Sequence, residues 1–246
     1  MKESIRNLLR KAGIEAYRYT VNTSAGAQLN RLIEFCRIDL VIDVGANRGL
    51  YAEGLRANGF PGRMVSFEPL AAVREVLASA ARRDALWRVA DRMALGESEG
   101  EITVHVAGNS LSSSILDMLP VHERAAPGSA YVSGETVPLR RLDRVADAFL
   151  ADAKRALLKI DTQGYEDRVL RGAQGLLPNI VAIQCELSLV PLYAGQLLLD
   201  QMRSNIEAMG FVLFAVFPGY VSEQTGQTLQ IDGFFVRPEI AMSVPQ

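Results

Sequence analysis

Short apolar runs bounded by Gly, Asp or Pro recur along this chain, separated by longer stretches in which apolar residues return every three or four positions. Leu40-Val41-Ile42-Asp43-Val44 is the first such run and ends at a glycine, the pattern of a buried parallel strand. Further strands are predicted at 63–67, 87–93, 157–161 and 180–186, and helices at 25–36, 49–58, 71–82, 143–151 and 197–208. Residues 211–217 and 230–236 predict an antiparallel pair at one sheet edge. Segments 102–106 and 136–139 alternate like extra strands beside the main sheet, and the Ser-, Gly- and Pro-rich stretch 108–135 predicts a long loop or lid. This alternation predicts an α/β fold with a doubly wound, Rossmann-like sheet, mostly parallel with an antiparallel edge strand.

Residues 1–20 carry Lys2, Arg6, Arg10, Lys11 and Arg18 among Ile5, Leu8, Leu9 and Ile14. That pattern predicts an amphipathic helix packed on its own domain rather than a signal peptide. The expected division is an N-terminal helical extension over 1–36 and one catalytic domain over 37–240, which suits a chain of 246 residues. No apolar run is long enough to span a bilayer, so a cytoplasmic protein is expected. A net charge of -2 gives no basic excess that would advertise nucleic acid. Cys36 and Cys185 each sit in an apolar run without a CxxC partner and read as buried thiols, not as a disulfide or zinc site.

The first strand leads into Asp43-Val44-Gly45-Ala46-Asn47-Arg48-Gly49. Gly45 and Gly49 allow a tight turn and close approach to a ligand, and the following helix directs its free N–H groups there. The segment differs from GxGxxG because Asp43 replaces the first glycine, and it has no Walker lysine. A carboxylate here would repel a pyrophosphate but would suit the cationic amino-acid end of S-adenosylmethionine. Glu68, at the end of the second strand, is placed to accept hydrogen bonds from both ribose hydroxyls. Met93 and Ala94, after the third strand, are candidates to hold adenine through backbone and apolar contact. Asp43, Gly45, Asn47, Gly49, Glu68, Met93 and Ala94 therefore make up the expected cofactor site.

With those residues in place, the chain resembles the FkbM-type methyltransferases from about Val41 to Val236. The shared pieces are VIDVGANRG at 41–49, SFEP at 66–69, ALGESEGEITVHV at 94–106, SSS at 112–114, LDRV at 142–145, LLKIDTQGYEDRVLRGA at 157–173 and DGFFVR at 232–237. The resemblance implies a class I methyltransferase fold and methyl transfer to a hydroxyl oxygen of a sugar, glycan or polyketide-like natural product. The family pattern commonly has Glu before the glycine of KIDxEGxE, where this chain has the uncharged Gln163.

Methyl transfer to oxygen requires an aligned hydroxyl, exclusion of water and a group that takes the proton. Lys159 and Asp161 lie two apart on a strand and so point the same way. Asp161 is the leading candidate for base, orienting acceptor or metal ligand, and Glu186 ends the next strand at the same edge. Asp161 and Glu186 together are the only expected metal ligands, and a divalent metal ranks below metal-free catalysis. His122, in the expected lid, is a further candidate base. Glu166 reads as a helix N-terminal acid, and His105 as structural. Ser112, Ser113 and Ser114 are expected at the cofactor or substrate mouth, with Tyr165 and Tyr193 as either sugar-stacking or packing rings. Acceptor choice falls to loops 108–135 and 191–195. Alternative readings are an N-methyltransferase on a small molecule, a nucleic-acid methyltransferase, or a non-catalytic partner subunit that binds S-adenosylmethionine.

Overall fold

The computed structural model describes residues 2–150 and 153–243. The chain opens with α1 (Lys2–Lys11) and α2 (Ala25–Phe35), where the Ser24 side chain caps α2 by accepting from the Ala27 N–H. Two βα steps and a third strand follow: β1 (Leu40–Val44), α3 (Leu50–Ala57), β2 (Arg63–Phe67), α4 (Ala71–Ala81) and β3 (Trp87–Val89). The chain then leaves the main sheet for β4 (Ala94–Leu95), β5 (Gly100–Ala107), α5 (Pro120–Ala125) and β6 (Tyr131–Arg140). Two one-turn helices, α6 (Leu142–Val145) and α7 (Asp147–Leu150), lead back to β7 (Ala156–Ile160). The remainder is α8 (Glu166–Gly172), a 3-10 turn at Gln174–Asn179, β8 (Ile180–Ser188), α9 (Leu199–Ala208), β9 (Val212–Pro218), β10 (Gln230–Val236) and α10 (Pro238–Met242).

The main sheet has seven strands in the order β3-β2-β1-β7-β8-β10-β9. β3, β2, β1, β7 and β8 run parallel, and β10 runs antiparallel to both β8 and the edge strand β9. The order reverses at β1, where the chain crosses from β3 to β7, so the crevice at a switch point opens beside β1 and β7. A three-stranded sheet, β4-β6-β5, forms from the excursion between β3 and β7.

Period-two alternation puts the central strands between two apolar layers. Ile42, Val44, Leu158, Ile160, Ile183 and Phe235 face one layer with α8 and α9. Val41, Leu157, Ala182, Phe234 and Val236 face the other, with Leu55 of α3 and Leu77 of α4. Leu32 and Ile33 of α2, together with Cys36, lie in this second layer, so the latter part of segment 1–36 packs into the core.

The structure departs from the sequence reading in several places. The first helix ends at Lys11 rather than at 20, with Gly13 following in the left-handed region at φ +74°. The third strand stops at Val89, and Met93 lies outside it. Expected strand 136–139 extends back to Tyr131, because residues 131–137 pair antiparallel with β5 out to solvent where no burial pattern marks them. The expected loop 108–135 therefore shrinks and contains α5. Expected helix 143–151 divides into α6 and α7, and α10 was not anticipated. The expected ends at Met1 and Ala151 lie outside the described residues.

Gly172 shows how tightly α8 is docked under the smaller sheet. A Cβ there would lie 1.9 Å from the Gly96 carbonyl oxygen, just past β4. Gly172→Ala should therefore cost about 1–3 kcal/mol through overpacking, read as a lower midpoint in chemical denaturation.

Candidate functional site

Register carries a polar row across the apolar sheet. Ser66, Asp43, Lys159 and Gln184 are successive partners on β2, β1, β7 and β8, and all four are buried. Lys159 Nζ lies 3.4 Å from Asp43 Oδ1 and 3.4 Å from Asp161 Oδ2, and 5.3 Å from the centre of the Tyr51 ring. Burial alone would lower the Lys159 pKa, but the carboxylates of Asp161 and Asp43 outweigh it and hold the ammonium above the ordinary lysine value. Tyr51 on α3 donates to Gln184 Oε1 at 2.7 Å, and Trp87 Nε1 donates to Ser66 Oγ at 3.0 Å.

The loop after β1 turns above this row. Gly45 has φ +79°, and a Cβ there would stand 1.8 Å from the Asp161 carbonyl oxygen, so glycine is required where the β1 and β7 loops meet. The Gly45 and Ala46 N–H groups donate to the Phe67 carbonyl at 3.1 and 3.0 Å. Asn47 is left-handed at φ +46°, and its N–H donates to Glu68 Oε2 at 2.9 Å. Glu68 Oε1 accepts from the Leu70 N–H at 2.9 Å. Burial pushes the Glu68 carboxyl up to about 7, against these two backbone donors.

One cavity of about 360 Å³ runs along this edge. Gly45, Asn47 and Glu68 line one end with Met93, Ala94 and Leu95; Asp161, Gln163 and Glu186 line the middle; Gln230, Tyr220 and His122 line the far end. The segment Asn109–Ser114 closes it from the smaller sheet. Asn47 Nδ2 donates to the Ser110 carbonyl at 3.4 Å, and Ser114 Oγ donates to the Gln163 carbonyl at 2.7 Å, so the roof is tied to both loops below it.

Gln163 bonds both central acids. Its Nε2 donates to Asp161 Oδ1 at 2.9 Å and Glu186 Oε2 at 3.0 Å, while its Oε1 accepts from Tyr193 Oη at 2.9 Å. Gln230 Nε2 also donates to Glu186 Oε2, at 2.6 Å. Burial, followed by the charges of Asp161, Glu166 and Asp232, holds the Glu186 carboxyl well above the ordinary glutamate value. Burial likewise raises Asp232, opposite Glu186 on β10, to about 6. Among the described residues no group of three or more His, Cys, Asp and Glu is arranged to hold a metal ion.

Gly45, Asn47, Glu68, Met93, Ala94, Asp161, Glu186 and His122 come together on the cavity wall as expected residues. Asp43, Gly49 and Lys159 do not line it. Asp43 and Lys159 form its buried foundation, and Gly49 makes room for the Trp87 ring, which a Cβ would approach to 2.8 Å. Glu166 Oε1 accepts from the Thr162 and Gly164 N–H groups at 2.8 and 3.1 Å and holds the β7–α8 loop in shape. His105 stacks on Tyr131 on the smaller sheet. Tyr193 and Tyr165 are buried packing residues. His122 is a buried residue of α5 rather than part of an open lid. Gln230, Tyr220 and Asp232 were not identified as site residues. The strand at 230–236 was expected, but nothing in its pattern marked Gln230 as a site residue, and Tyr220 precedes it in a connection without a pattern.

The parallel sheet with its inserted antiparallel β10, and a glycine loop and acid at the ends of β1 and β2, define a Rossmann-like class I methyltransferase. The methyltransferase FkbM domain model matches residues 43–213, more than half of the chain, and the protein belongs to that S-adenosylmethionine-dependent family. No curated protein matches the sequence. Similar solved structures include magnesium protoporphyrin IX methyltransferase (ChlM) from Synechocystis PCC 6803 with bound SAM, at 10% identity and TM-score 0.44, covering 96% of each chain. Mitomycin 7-O-methyltransferase MmcR is similar at 15% identity and TM-score 0.41, covering 86% of this chain and 52% of that one. A putative RNA methyltransferase, PH1948 from Pyrococcus horikoshii, is similar at 12% identity and TM-score 0.43, covering 87% of this chain and 83% of that one. No helix among the described residues is long and apolar enough to cross a membrane.

The raised acids fix the sign of a pH effect. Glu68 and Glu166 at about 7 and Asp232 at about 6 lie above their unfolded values, so the folded chain binds more protons than the unfolded chain at mildly acidic pH. Their contribution is present below the unfolded carboxylate values and is lost as pH rises through 6 to 7. Denaturation midpoints of the ligand-free protein should fall from pH 5 to pH 8, and Asp232→Asn should make that slope shallower; an equal slope in the variant would remove Asp232 from the set.

Proposed function

We propose that this protein transfers a methyl group from S-adenosylmethionine to a hydroxyl oxygen of a sugar, glycan or polyketide-like acceptor. The observation that carries the reading is the charge of the cavity wall. Glu68, Asp161 and Glu186 line it, and no Lys or Arg does among the described residues. Such a wall suits a ligand bearing ammonium and sulfonium charges and opposes a pyrophosphate or a nucleic-acid backbone.

The residues fit that cofactor. Glu68 keeps acceptor capacity beyond its two backbone bonds and is the partner for the ribose hydroxyls. Met93, Ala94 and Leu95 offer an apolar slot for adenine. Gly45 and Asn47 bring backbone close to the amino-acid end, and Asp161 stands beside them. When bound, the cofactor supplies the electrophilic methyl group.

The chain's own tasks are alignment, exclusion of water and removal of the hydroxyl proton. Asp161 is the proposed base. Gln163 Nε2 donates to its Oδ1, and Lys159 Nζ lies 3.4 Å from its Oδ2. Glu186 stands beside it, its Oε2 accepting from the Gln163 and Gln230 amides, and burial holds its carboxyl above the ordinary glutamate value. The Gln163 amide occupies the gap between the two carboxylates where a shared cation would sit, which favours catalysis without a metal. The roof from Asn109 to Ser114 keeps water from the reacting atoms.

Calorimetry should detect S-adenosylmethionine and S-adenosylhomocysteine, and Glu68→Gln should weaken both by about tenfold, the scale of one to two charged hydrogen bonds. Absence of binding by both cofactors would sink the reading. Asp161→Asn should lower kcat by about 10²–10⁴, the usual contribution of a general base, a larger loss than any in cofactor affinity. Full turnover in that variant would place the base elsewhere.

A further inference from the structure

The far end of the cavity holds two polar atoms that are buried and have no hydrogen-bond partner, His122 Nδ1 and Tyr220 Oη. Each such atom costs about 1–3 kcal/mol unless something arrives to satisfy it. His122 is only 3% exposed. Its ring lies 6.2 Å from that of Tyr220 and 5.0 Å from that of Tyr193, centre to centre.

The neighbours of His122 decide which nitrogen carries the proton. Nε2 lies 3.0 Å from Ser112 Oγ, which already accepts from Asn109 Nδ2 at 3.0 Å. If Ser112 donates its single proton to Nε2, the hydroxyl is satisfied as donor and acceptor, and the imidazole proton sits on Nδ1. The other tautomer strands the Ser112 proton and leaves an unused lone pair on Nδ1. Burial also keeps His122 below the ordinary histidine value, and so neutral. Nδ1–H and Tyr220 Oη–H are then two uncharged donors without acceptors on one stretch of wall.

We propose that His122 Nδ1–H and Tyr220 Oη–H form an acceptor subsite that binds an uncharged oxygen of the methyl acceptor, either a sugar oxygen or a lactone or ketone carbonyl. His122 is thus a positioning and specificity residue, not the proton acceptor anticipated from its place in the sequence. The ligand oxygen must be neutral because Glu186 and Asp161 line the adjoining wall without a Lys or Arg, so an anionic group would be repelled. Tyr193 lies between this subsite and the two acids: its Oη donates to Gln163 Oε1 at 2.9 Å and lies 3.2 Å from the Ser112 carbonyl, the alternative acceptor for its single proton. An acceptor held at His122 and Tyr220 would therefore lie on the same cavity wall as Asp161. This inference rests on the methyltransferase reading.

The test uses the full chain, labelled with ¹⁵N-histidine and saturated with S-adenosylhomocysteine. The chain has 2 histidines, so a His105→Gln variant assigns the His122 signals. The expected spectrum at neutral pH is the Nδ1–H tautomer of His122; an Nε2–H tautomer overturns the proposal. Methyl glycosides and simple lactones are then titrated in, with sugar phosphates as charged counterparts. The expected result is a saturable shift of the His122 Nδ1 signal with at least one neutral probe and none with the phosphates. Tyr220→Phe should weaken the neutral probe by about three- to tenfold, the value of one hydrogen bond, without moving the S-adenosylhomocysteine affinity. A silent neutral panel, equal shifts with phosphates, or unchanged probe affinity in Tyr220→Phe overturns the subsite. Failure of S-adenosylhomocysteine itself to bind overturns the methyltransferase reading; if it binds while the histidine results fail, only the subsite falls.

Discussion

A lysine ammonium removed from water costs several kcal/mol unless opposite charge is built around it, and Lys159 sits in the middle of a sheet whose central strands are apolar apart from its own polar row. Asp43 beside it on β1 and Asp161 just beyond it past the end of β7 provide that charge, each at 3.4 Å. Much of the site follows from this one arrangement. It fixes β1 against β7 at the switch point and directs the Asp161 carboxylate to the cavity. The Gly45 turn must then lie directly against the Asp161 backbone. Removing one partner would leave a buried charge uncompensated, which is far worse than losing a surface pair.

Above that foundation the cavity is assembled from two sheets. The floor is the carboxyl edge of the parallel strands, where βα loops leave the core and backbone N–H groups are free. The roof is the Asn109–Ser114 connection that follows β5 of the smaller sheet, tied down by Asn47 to Ser110 and by Ser114 to Gln163. Two residues beneath it, Asn47 and Gln163, hold left-handed backbone at φ +46° and +56°. Such conformations persist where surrounding bonds overdetermine them, and here the Glu68 carboxylate and the Tyr193 hydroxyl do so. The replacement of a family glutamate by Gln163 also acquires a physical meaning. An amide can donate to Asp161 and Glu186 together, whereas a third carboxylate would add repulsion between two acids already close in space.

The Asp43–Gly49 loop and Glu68 were legible in the sequence because glycines and acids at strand ends are local signals, read within one βα unit. The strands themselves were legible from short apolar runs buried on both faces. Reading failed where a structure gets its order from distant partners. Tyr131 to Glu135 look like loop residues, yet they pair with β5 and lie largely in solvent. Asp43 was expected at the cofactor site, and only the structure shows its side chain buried beside Lys159. Sequence spacing placed Lys159 and Asp161 on one face, but only the β1–β7 register brought Asp43 to the same ammonium.

The sequence by itself determined the doubly wound class, the glycine loop after β1 and the family, because those depend on periodicity and on motifs contiguous in the chain. The tertiary structure alone decided which acids face the cavity and which are buried beneath it. It also brought Glu186, Gln230, Tyr220 and His122, carried by β8, β10, the β9–β10 connection and α5, to one wall. The physical reason is that side-chain direction and strand register are set by packing between elements far apart in sequence, and no local pattern encodes a contact between residues 122 and 220.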